Sequence, residues 1–389
     1  MQHVYQPITF VRKYDDIKLI NRDQFTKLDE YDYTYQLLSG GDSIDGGTLT
    51  LRGDRLEWPL LKKHVGECFL NVSARLRKAT PWAPAGFAVA SEQFQITQGL
   101  KYVGIYDGVA PKLKKTSDSI IVSTGNNTIT IDKTGALSSW TVDGIEMLRS
   151  PLEPYFWKPE NDNQRAAGFA QRLGTWRDVA AQRTVRSIKT SKNENTVSVI
   201  VECSLPVGAD YTLTYEFFEK GRVEVKADYR PTATNIPLIP KFGMRMRIPA
   251  DFTNIDYYGR GPWENYPDRK RSAFIGRYQM PLSKYETEYI HPQDNGCRTD
   301  VRWFNISNGK KTLHISGNQP LCIRAWDYGE EDLEGVRHPN EINRGRFVNL
   351  NIDLNIHGVG GVDTWGQRTL PQYTIDGNKP YHYSFILEW

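Results

Sequence analysis

Pairs of carboxylates are the residues in this sequence whose types and spacing could perform acid–base chemistry. Hydrolysis of a glycosidic bond requires two carboxyl groups, about 5 Å apart when configuration is retained and further apart when it is inverted. Four sets of acidic residues have suitable spacing: Glu160 with Asp162, Glu264 with Asp268, Glu286 with Glu288, and the run 330–332. The i, i+2 spacing of the third set would place both groups on one face of a strand, whereas the 330–332 run is typical of a solvated loop. None of the sets stands out, so we assign no catalytic residue.

Other catalytic and metal-binding patterns are absent from the sequence. There is no G-x-S-x-G nucleophile motif, and the seven histidines form no H-E-x-x-H arrangement. The four cysteines form no C-x-x-C pair, which argues against a metal knuckle or a disulfide framework, so we expect buried free thiols and no metal site; they are Cys68, Cys203, Cys297 and Cys322. The Gly259-Arg260-Gly261 segment lacks the third glycine of a dinucleotide-binding turn.

A glycine-rich segment near the C-terminus could present an aromatic side chain. Three glycines occupy four positions in Gly358-Val359-Gly360-Gly361, and Trp365 follows shortly after. Glycine permits tight turns, so we expect Trp365 on a loop. There it could plug the end of a sheet or serve as a platform for the face of a sugar ring. His357, just before the glycines, fits a structural role better than a ligand role.

The segment 259–269, GRGPWENYPDR, combines glycines, prolines, aromatic residues and charges in eleven positions. Its glycines and prolines exclude a regular helix or strand and indicate a shaped loop. In a structural interpretation its charged residues pair locally, while Trp263 and Tyr266 fill a small core. In a functional interpretation its aromatic and charged groups face a carbohydrate. The residue types favour the structural interpretation.

Composition limits the classes of protein that the chain could belong to. The 389 residues are 39% hydrophobic, 24% charged and 12% aromatic, with a formal net charge of +3. Such a small charge gives no argument for binding nucleic acid or membranes. No run of 18 apolar residues and no signal peptide is present. We therefore expect a soluble protein, cytoplasmic or periplasmic, with its compartment undetermined.

Short β-rich runs separated by turn residues predict an all-β protein. Residues 1–98 read as an immunoglobulin-like β-sandwich, 99–119 as a polar linker, and 120–389 as a large antiparallel β-sandwich. One helix is expected between about Gln164 and Gln182. Within it, Phe169, Leu173, Trp176 and Val179 would share one apolar face.

Several stretches together resemble the C-terminal part of glycoside hydrolase family 2 β-galactosidases over nearly the whole chain. They are Val4-Tyr5-Gln6-Pro7-Ile8, residues 79–96, residues 155–177, residues 257–305 and the Gly-Gly-Val-Asp-Thr-Trp segment 360–365. The resemblance implies a second immunoglobulin-like domain followed by the family's small-chain domain, a super-sandwich of the galactose-mutarotase type.

The resemblance also implies site residues. Trp365 matches the tryptophan that the last domain contributes to the substrate site, where it stacks on the sugar. Asn161, Asp162 and Asn163 lie in a stretch similar to the mobile loop beside that site. The catalytic glutamates and a divalent cation, Mg²⁺ or Ca²⁺, belong to a TIM barrel that needs about 250 residues, and nothing in this sequence supplies it.

The function implied is that of part of a retaining β-galactosidase. Its expected partners are a β-galactoside and a family 2 barrel in cis or in trans, and the chain alone should be inactive, carrying no cofactor of its own. One alternative is a stand-alone carbohydrate-binding or scaffold module. A lesser alternative is an aldose epimerase, which would need a carboxylate and a histidine that converge; the candidate histidines are His291, His314, His338 and His357.

Overall fold

The computed structural model describes residues 2–58, 66–99, 110–363 and 365–389. The chain divides into two compact units. The first comprises Met1–Tyr102 with Phe274–Arg277, and the second comprises Val103–Ala273 with Tyr278–Trp389. Residues 100–109, in the predicted linker, lie outside the described residues. So does Thr364, next to the predicted sugar-stacking tryptophan.

The first unit contains two four-stranded antiparallel sheets, ordered β1-β2-β6-β5 and β4-β3-β7-β8. A single 3₁₀ turn at Leu28–Glu30 precedes the third strand. The strands are β1 (Ile8–Lys13), β2 (Asp16–Asn21), β3 (Tyr31–Ser39), β4 (Asp42–Leu49), β5 (Leu51–Arg52), β6 (Arg55–Glu57), β7 (Cys68–Leu76) and β8 (Ala88–Thr97).

The core of the first unit follows from the two-residue period of its strands. Ile8 and Phe10 of β1 are buried, as are Leu70, Val72 and Ala74 of β7, while the residues between them are more exposed. Successive side chains of a strand point to opposite faces, so each sheet turns one apolar face inward. Residues of both sheets form one hydrophobic cluster, which makes the unit a β-sandwich.

The second unit is built on a large antiparallel sheet that curls until it closes on itself. Its strands are β9 (Lys112–Lys115), β10 (Ser119–Thr124), β11 (Asn127–Asp132), β12 (Leu137–Val142), β13 (Ile145–Glu146), β14 (Ser150–Tyr155), β15 (Thr184–Lys192), β16 (Val197–Leu205), β17 (Ala209–Phe217), β18 (Val223–Pro231), β19 (Lys241–Ile248), β20 (Asn254–Gly261), β21 (Phe274–Pro281), β22 (Arg298–Ser307), β23 (Thr312–Trp326), β24 (Val348–Ile356) and β25 (Tyr381–Glu388). Of β21, Phe274–Arg277 belong to the first unit and the remaining residues to the second.

The same alternation builds the core of the second unit. In β16 every second residue from Val197 to Leu205 is buried, and β17 repeats the pattern from Ala209 to Phe217. The two strands pair in register over their full length. Together with the first unit, this confirms the prediction of an all-β chain with a large antiparallel sheet. Within the described residues, no helix is long and apolar enough to cross a membrane.

The stretch 164–182, predicted as one helix, does contain helical structure, but not as one continuous helix. The chain instead forms α1 (Asp162–Ala166), α2 (Phe169–Leu173) and a 3₁₀ turn at Gly174–Arg177. Gly168 separates the two helices with a left-handed φ of 64°, a conformation that breaks helical hydrogen bonding and suits glycine. The predicted apolar residues are nevertheless buried; they are Phe169, Leu173, Trp176 and Val179.

The end of the predicted linker contains a strand. Lys112–Lys115 form β9, which pairs with β10 in antiparallel register, for example Lys114 opposite Ile121. The charge of the KLKK sequence favours a solvated connector, which is why it falls in the predicted linker 99–119. In this strand the lysine side chains are exposed, whereas Leu113 packs against the core of the second unit.

Candidate functional site

The glycine loop, residues 357–367, begins where β24 ends. The amide of His357 donates to the carbonyl of Pro240 at 2.9 Å, and the amide of Gly358 donates to the carbonyl of Tyr373 at 2.9 Å. These main-chain bonds attach the start of the loop to two neighbouring segments. The loop therefore leaves the sheet in a defined direction.

Helix α1 contacts the glycine loop through side-chain amides. Asn161 donates to the carbonyl of Val359 at 3.1 Å, and Gln164 donates to the carbonyl of Gly358 at 2.9 Å. Asn161 also caps α1 by accepting from the amide of Gln164 at 2.9 Å, the role that asparagine favours at a helix start. Asn163 lies at 3.5 Å from the same Val359 carbonyl. The structure thus brings two predicted site residues, Asn161 and Asn163, against the loop that carries Trp365.

Asp268, in the segment 259–269, binds the main-chain amides of the same loop. Its carboxylate accepts the amides of Val359 at 3.0 Å and Gly360 at 2.9 Å. The approach is so close that a Cβ on Gly358 would lie 2.6 Å from the carboxylate. A glycine is therefore required at position 358, and Asp268 serves as a structural anchor.

Trp365 stands on this fixed loop with its side chain in solvent. The carboxylate of Asp363 accepts the amides of Trp365 at 2.9 Å and Gln367 at 3.0 Å. Gly366 has a φ of +93°, and a Cβ there would lie 2.7 Å from the carbonyl oxygen of Ala166 in α1. The amides of Trp365 and Gln367 are thereby held, while the Trp365 side chain is 91% exposed. An indole on such a support offers a flat apolar face to a ligand.

Asp162 belongs to a separate polar cluster at the surface. Its carboxylate accepts from Arg165 at 2.8 Å and from Gln293 at 2.9 Å, and it lies 3.2 Å from Nδ1 of His291. Burial alone would raise the pKa of Asp162, but the hydrogen bonds from Gln293, His291 and Arg165 outweigh burial and lower it. The carboxylate is therefore ionised at neutral pH and links α1 to the segment that contains His291.

A buried ionic network beneath the loop was missed by the sequence reasoning. The Lys158 ammonium, fully buried, donates to Gln164 at 2.6 Å and to Asp294 at 3.2 Å. Arg324 in turn joins Asp294 to Glu330, with 2.6 Å to the latter. Because Gln164 also holds the Gly358 carbonyl, the network reaches the base of the glycine loop.

Glu330 is the centre of this network. It also contacts Arg245 at 3.2 Å, Asn349 at 3.0 Å and Asn351 at 2.8 Å. Burial would raise the pKa of Glu330, but Arg324, Arg245 and Lys241 outweigh it and hold that pKa far below its ordinary value. The expectation of a solvated 330–332 run is therefore wrong for Glu330, which is 2% exposed.

The sequence of strand β24 contains the one pattern from which the buried ionic network could have been predicted. In V-N-L-N-I-D-L, Asn349, Asn351 and Asp353 alternate with apolar residues, so one whole face of a central strand is polar and yet buried. Asp353 lies 3.0 Å from Lys241. Burial raises the pKa of Asp353 to about 6 despite Lys241 and Arg324.

Three of the other candidate carboxylates, Glu264, Glu160 and Glu286, have structural partners. Glu264 pairs with Arg269 and Tyr289 and accepts the amide of Gly296 at 2.8 Å. Glu160 accepts the amide of Ala170, in the first turn of α2, at 2.6 Å. Glu286 lies 2.9 Å from Arg344, and residues 286–288 do not form the strand that would have aligned Glu286 with Glu288.

Part of the structural interpretation of segment 259–269 agrees with the contacts. Arg269 pairs locally with Glu264, and Tyr266 is buried in a small cluster with Cys297, Cys322 and Ile356. Trp263, in contrast, is 56% exposed and fills no core. Arg260 pairs outside the segment, with Asp300 at 2.5 Å.

The histidines do not favour the epimerase alternative. His357 is buried, and its pKa falls to about 3 through burial and then through the cations Lys158 and Arg172. His291 meets a carboxylate only in the surface cluster around Asp162, and His314 bonds to Asn305 at 2.7 Å. Over the described ranges, no three histidine, cysteine or acidic side chains form a group that could hold a metal ion.

Comparison with known proteins covers both units. Residues 123–387 match the family described as beta galactosidase small chain, and residues 17–97 match beta-galactosidase, domain 4. A beta-galactosidase of Priestia megaterium is 29% identical over 95% of this chain, and one of Lactobacillus delbrueckii subsp. bulgaricus is 30% identical over 91%. The chain spans only 37% and 35% of those two proteins.

Solved structures were also compared. Galactose 1-epimerase from Lactobacillus acidophilus NCFM aligns with 72% of this chain and 98% of its own, at 10% identity and a TM-score of 0.44.

Proposed function

Because this chain belongs to the β-galactosidase small-chain family, we propose that it forms the C-terminal portion of a retaining β-galactosidase. In this proposal the catalytic carboxylates and a divalent cation, Mg²⁺ or Ca²⁺, reside in a barrel supplied in cis or in trans. This chain contributes Trp365, which stacks on the sugar or on its leaving group. The chain alone does not hydrolyse β-galactosides.

The observation that carries the proposal is the way in which Trp365 is presented. A large apolar side chain that is 91% exposed contributes nothing to the core, yet its main chain is held by Asp363 and by contact with Ala166. A main chain that is already fixed loses little conformational entropy when a ligand binds, so the entropy cost of binding is smaller. An exposed aromatic ring on a fixed loop is suited to stacking on a pyranose face.

The experiment that tests the proposal mixes this chain with a family 2 catalytic chain that lacks its own end domains. Hydrolysis of a β-galactoside chromogen is measured for the mixture, for each chain alone, and for mixtures containing Trp365→Ala or Trp82→Ala. Trp82 is 66% exposed in the first unit and controls for the loss of a surface tryptophan. We expect activity only in mixtures, reduced by Trp365→Ala and unchanged by Trp82→Ala. Turnover by this chain alone would contradict the proposal.

A stand-alone sugar-binding module is the second candidate, because an exposed indole could bind a sugar without any catalytic partner. Titration of galactose or lactose against tryptophan fluorescence separates the two. Saturable binding by the free chain, lost in Trp365→Ala, together with no restored activity in the mixture, would favour the binding module.

A further inference from the structure

We infer that Asp268 is a positioning residue for Trp365: its carboxylate fixes the glycine loop so that the indole is presented in one place. This inference rests on the proposed function of Trp365 for its catalytic consequence. The anchoring of the loop itself can be tested without any enzymatic assay.

The geometry is that of one carboxylate bound by two consecutive amides. The two oxygens of Asp268 accept separately, Oδ1 from Val359 at 3.0 Å and Oδ2 from Gly360 at 2.9 Å. Hydrogen bonds to an ionised acceptor are stronger than those between neutral groups. The opposite edge of the same loop turn is held by Asn161 and Gln164, through the carbonyls of Val359 and Gly358. Both the amide donors and the carbonyl acceptors of this turn are therefore hydrogen-bonded.

Asp268 is itself held in place by segment 259–269. Tyr266 and Arg269 bond to each other through their main chains, at 2.8 and 3.3 Å, and so close a tight turn around Asp268. Tyr266 is buried, and Asn265, also buried, accepts the amide of Thr299 at 2.9 Å. The turn that carries the carboxylate is therefore anchored to the body of the second unit.

Only a carboxylate provides two acceptors at this spacing. An asparagine of the same shape would offer one acceptor oxygen and would direct its NH₂ group at the second amide, leaving that amide without a partner. Gly358 leaves no space for a different approach, because a Cβ there would lie 2.6 Å from Oδ2 of Asp268. The Asp268→Asn substitution therefore removes the anchor with a minimal change in volume.

Amide hydrogen exchange of the whole chain tests the anchor directly. In Asp268→Asn we expect whichever of the Val359 and Gly360 amides faces the new NH₂ group to exchange roughly ten-fold faster or more, given the usual strength of charge-assisted bonds. The amide of Gly358, which donates to Tyr373, serves as the internal control and should keep its rate. Asp178→Asn, at an exposed position in the same unit, is the matched variant and should change none of the three. Unchanged exchange at Val359 and Gly360 in folded Asp268→Asn would overturn the inference.

Kinetics of the reconstituted mixture test the consequence for Trp365. We expect Asp268→Asn to change KM and kcat in the same direction as Trp365→Ala, and to have little further effect when Trp365 is already alanine. Fully additive losses would overturn the inference, because they would mean that Asp268 acts independently of the indole. Absence of any effect of Trp365→Ala would instead refute the proposed function, and the exchange result would still decide whether Asp268 anchors the loop.

Discussion

Asn161 donates its side-chain amide to the carbonyl of Val359 at 3.1 Å, across 198 residues of chain. This bond joins two stretches that resembled separate parts of one substrate site. It places helix α1 against the loop of Trp365, and the contact of Gly366 with Ala166 extends the same junction. The candidate site is therefore a junction between helix α1 and the glycine loop. Its geometry depends on close contacts at glycine positions such as Gly366, where a larger side chain would not fit.

Gly366→Ala should displace Trp365 without unfolding the chain. The new Cβ would lie 2.7 Å from the Ala166 carbonyl oxygen, and the φ of +93° is costly for alanine. We expect activity in the reconstituted mixture to fall towards the level of Trp365→Ala, with only a small change in melting temperature.

Gly345→Ala is the control for this substitution. Its φ of +76° imposes similar backbone strain, but a Cβ there meets no atom within 4 Å. It should leave the activity of the mixture unchanged. Equal loss of activity in both variants would mean that backbone strain, and not the contact with Ala166, is responsible.

Glu330→Gln should destabilise the second unit strongly. The substitution removes one of the two buried carboxylates that pair with Arg324, and it removes the buried partner of Arg245. Breaking a buried ion pair typically costs about 3 kcal/mol or more. The free energy of unfolding from urea denaturation, followed by circular dichroism, measures the effect.

The adjacent Glu331→Gln provides the matched control. The Glu331 side chain is 51% exposed and pairs with Arg247, so its removal should change the free energy of unfolding by no more than about 0.5 kcal/mol. Similar losses in the two variants would contradict the role assigned to the buried network.

The sequence predicted the fold class well, because alternation of apolar residues directly reports burial on one face of a strand. It failed where a residue's environment depends on distant segments. Glu330 looked solvated from its acidic neighbours, but Arg245, 85 residues away on β19, supplies compensating charge together with the nearby Arg324. Asp268 looked like half of a carboxylate pair with Glu264, yet its partners are amides more than 90 residues away.

The predicted helix is interrupted for a local reason. Phe169, Leu173, Trp176 and Val179 have helical spacing and are all buried, so the periodicity correctly identified a buried face. It could not show that Gly168 adopts a left-handed conformation, which splits the segment into two short helices. Ala166, at the end of α1, lies beside Gly366, a contact that no periodicity could predict.

His357 should make stability depend on pH. Its folded-state pKa of about 3 lies below the ordinary 6.5, so the folded state keeps the ring neutral while the unfolded chain protonates it. The stability that this provides is fully present above pH 6.5 and is lost as pH falls towards 3, a difference of roughly 5 kcal/mol.

The raised pKa of Asp353 makes the folded state more stable as pH falls below 6, which opposes the effect of His357. Comparing the native chain with His357→Gln therefore isolates the contribution of His357. We expect the melting temperature of the native chain to fall relative to the variant between pH 6.5 and 4. The exposed His338 supplies the control substitution, His338→Gln, which should follow the native curve. Parallel curves for native chain and His357→Gln would show that His357 titrates normally.

The most direct measurement of the central claim is β-galactoside hydrolysis by a catalytic chain without end domains, mixed in turn with the native chain, Trp365→Ala and Trp82→Ala. We predict that the native chain and Trp82→Ala restore activity equally, and that Trp365→Ala restores roughly five- to thirty-fold less, as expected for the loss of about 1 to 2 kcal/mol of stacking energy. Full restoration by Trp365→Ala, or no restoration by the folded native chain, would contradict the account.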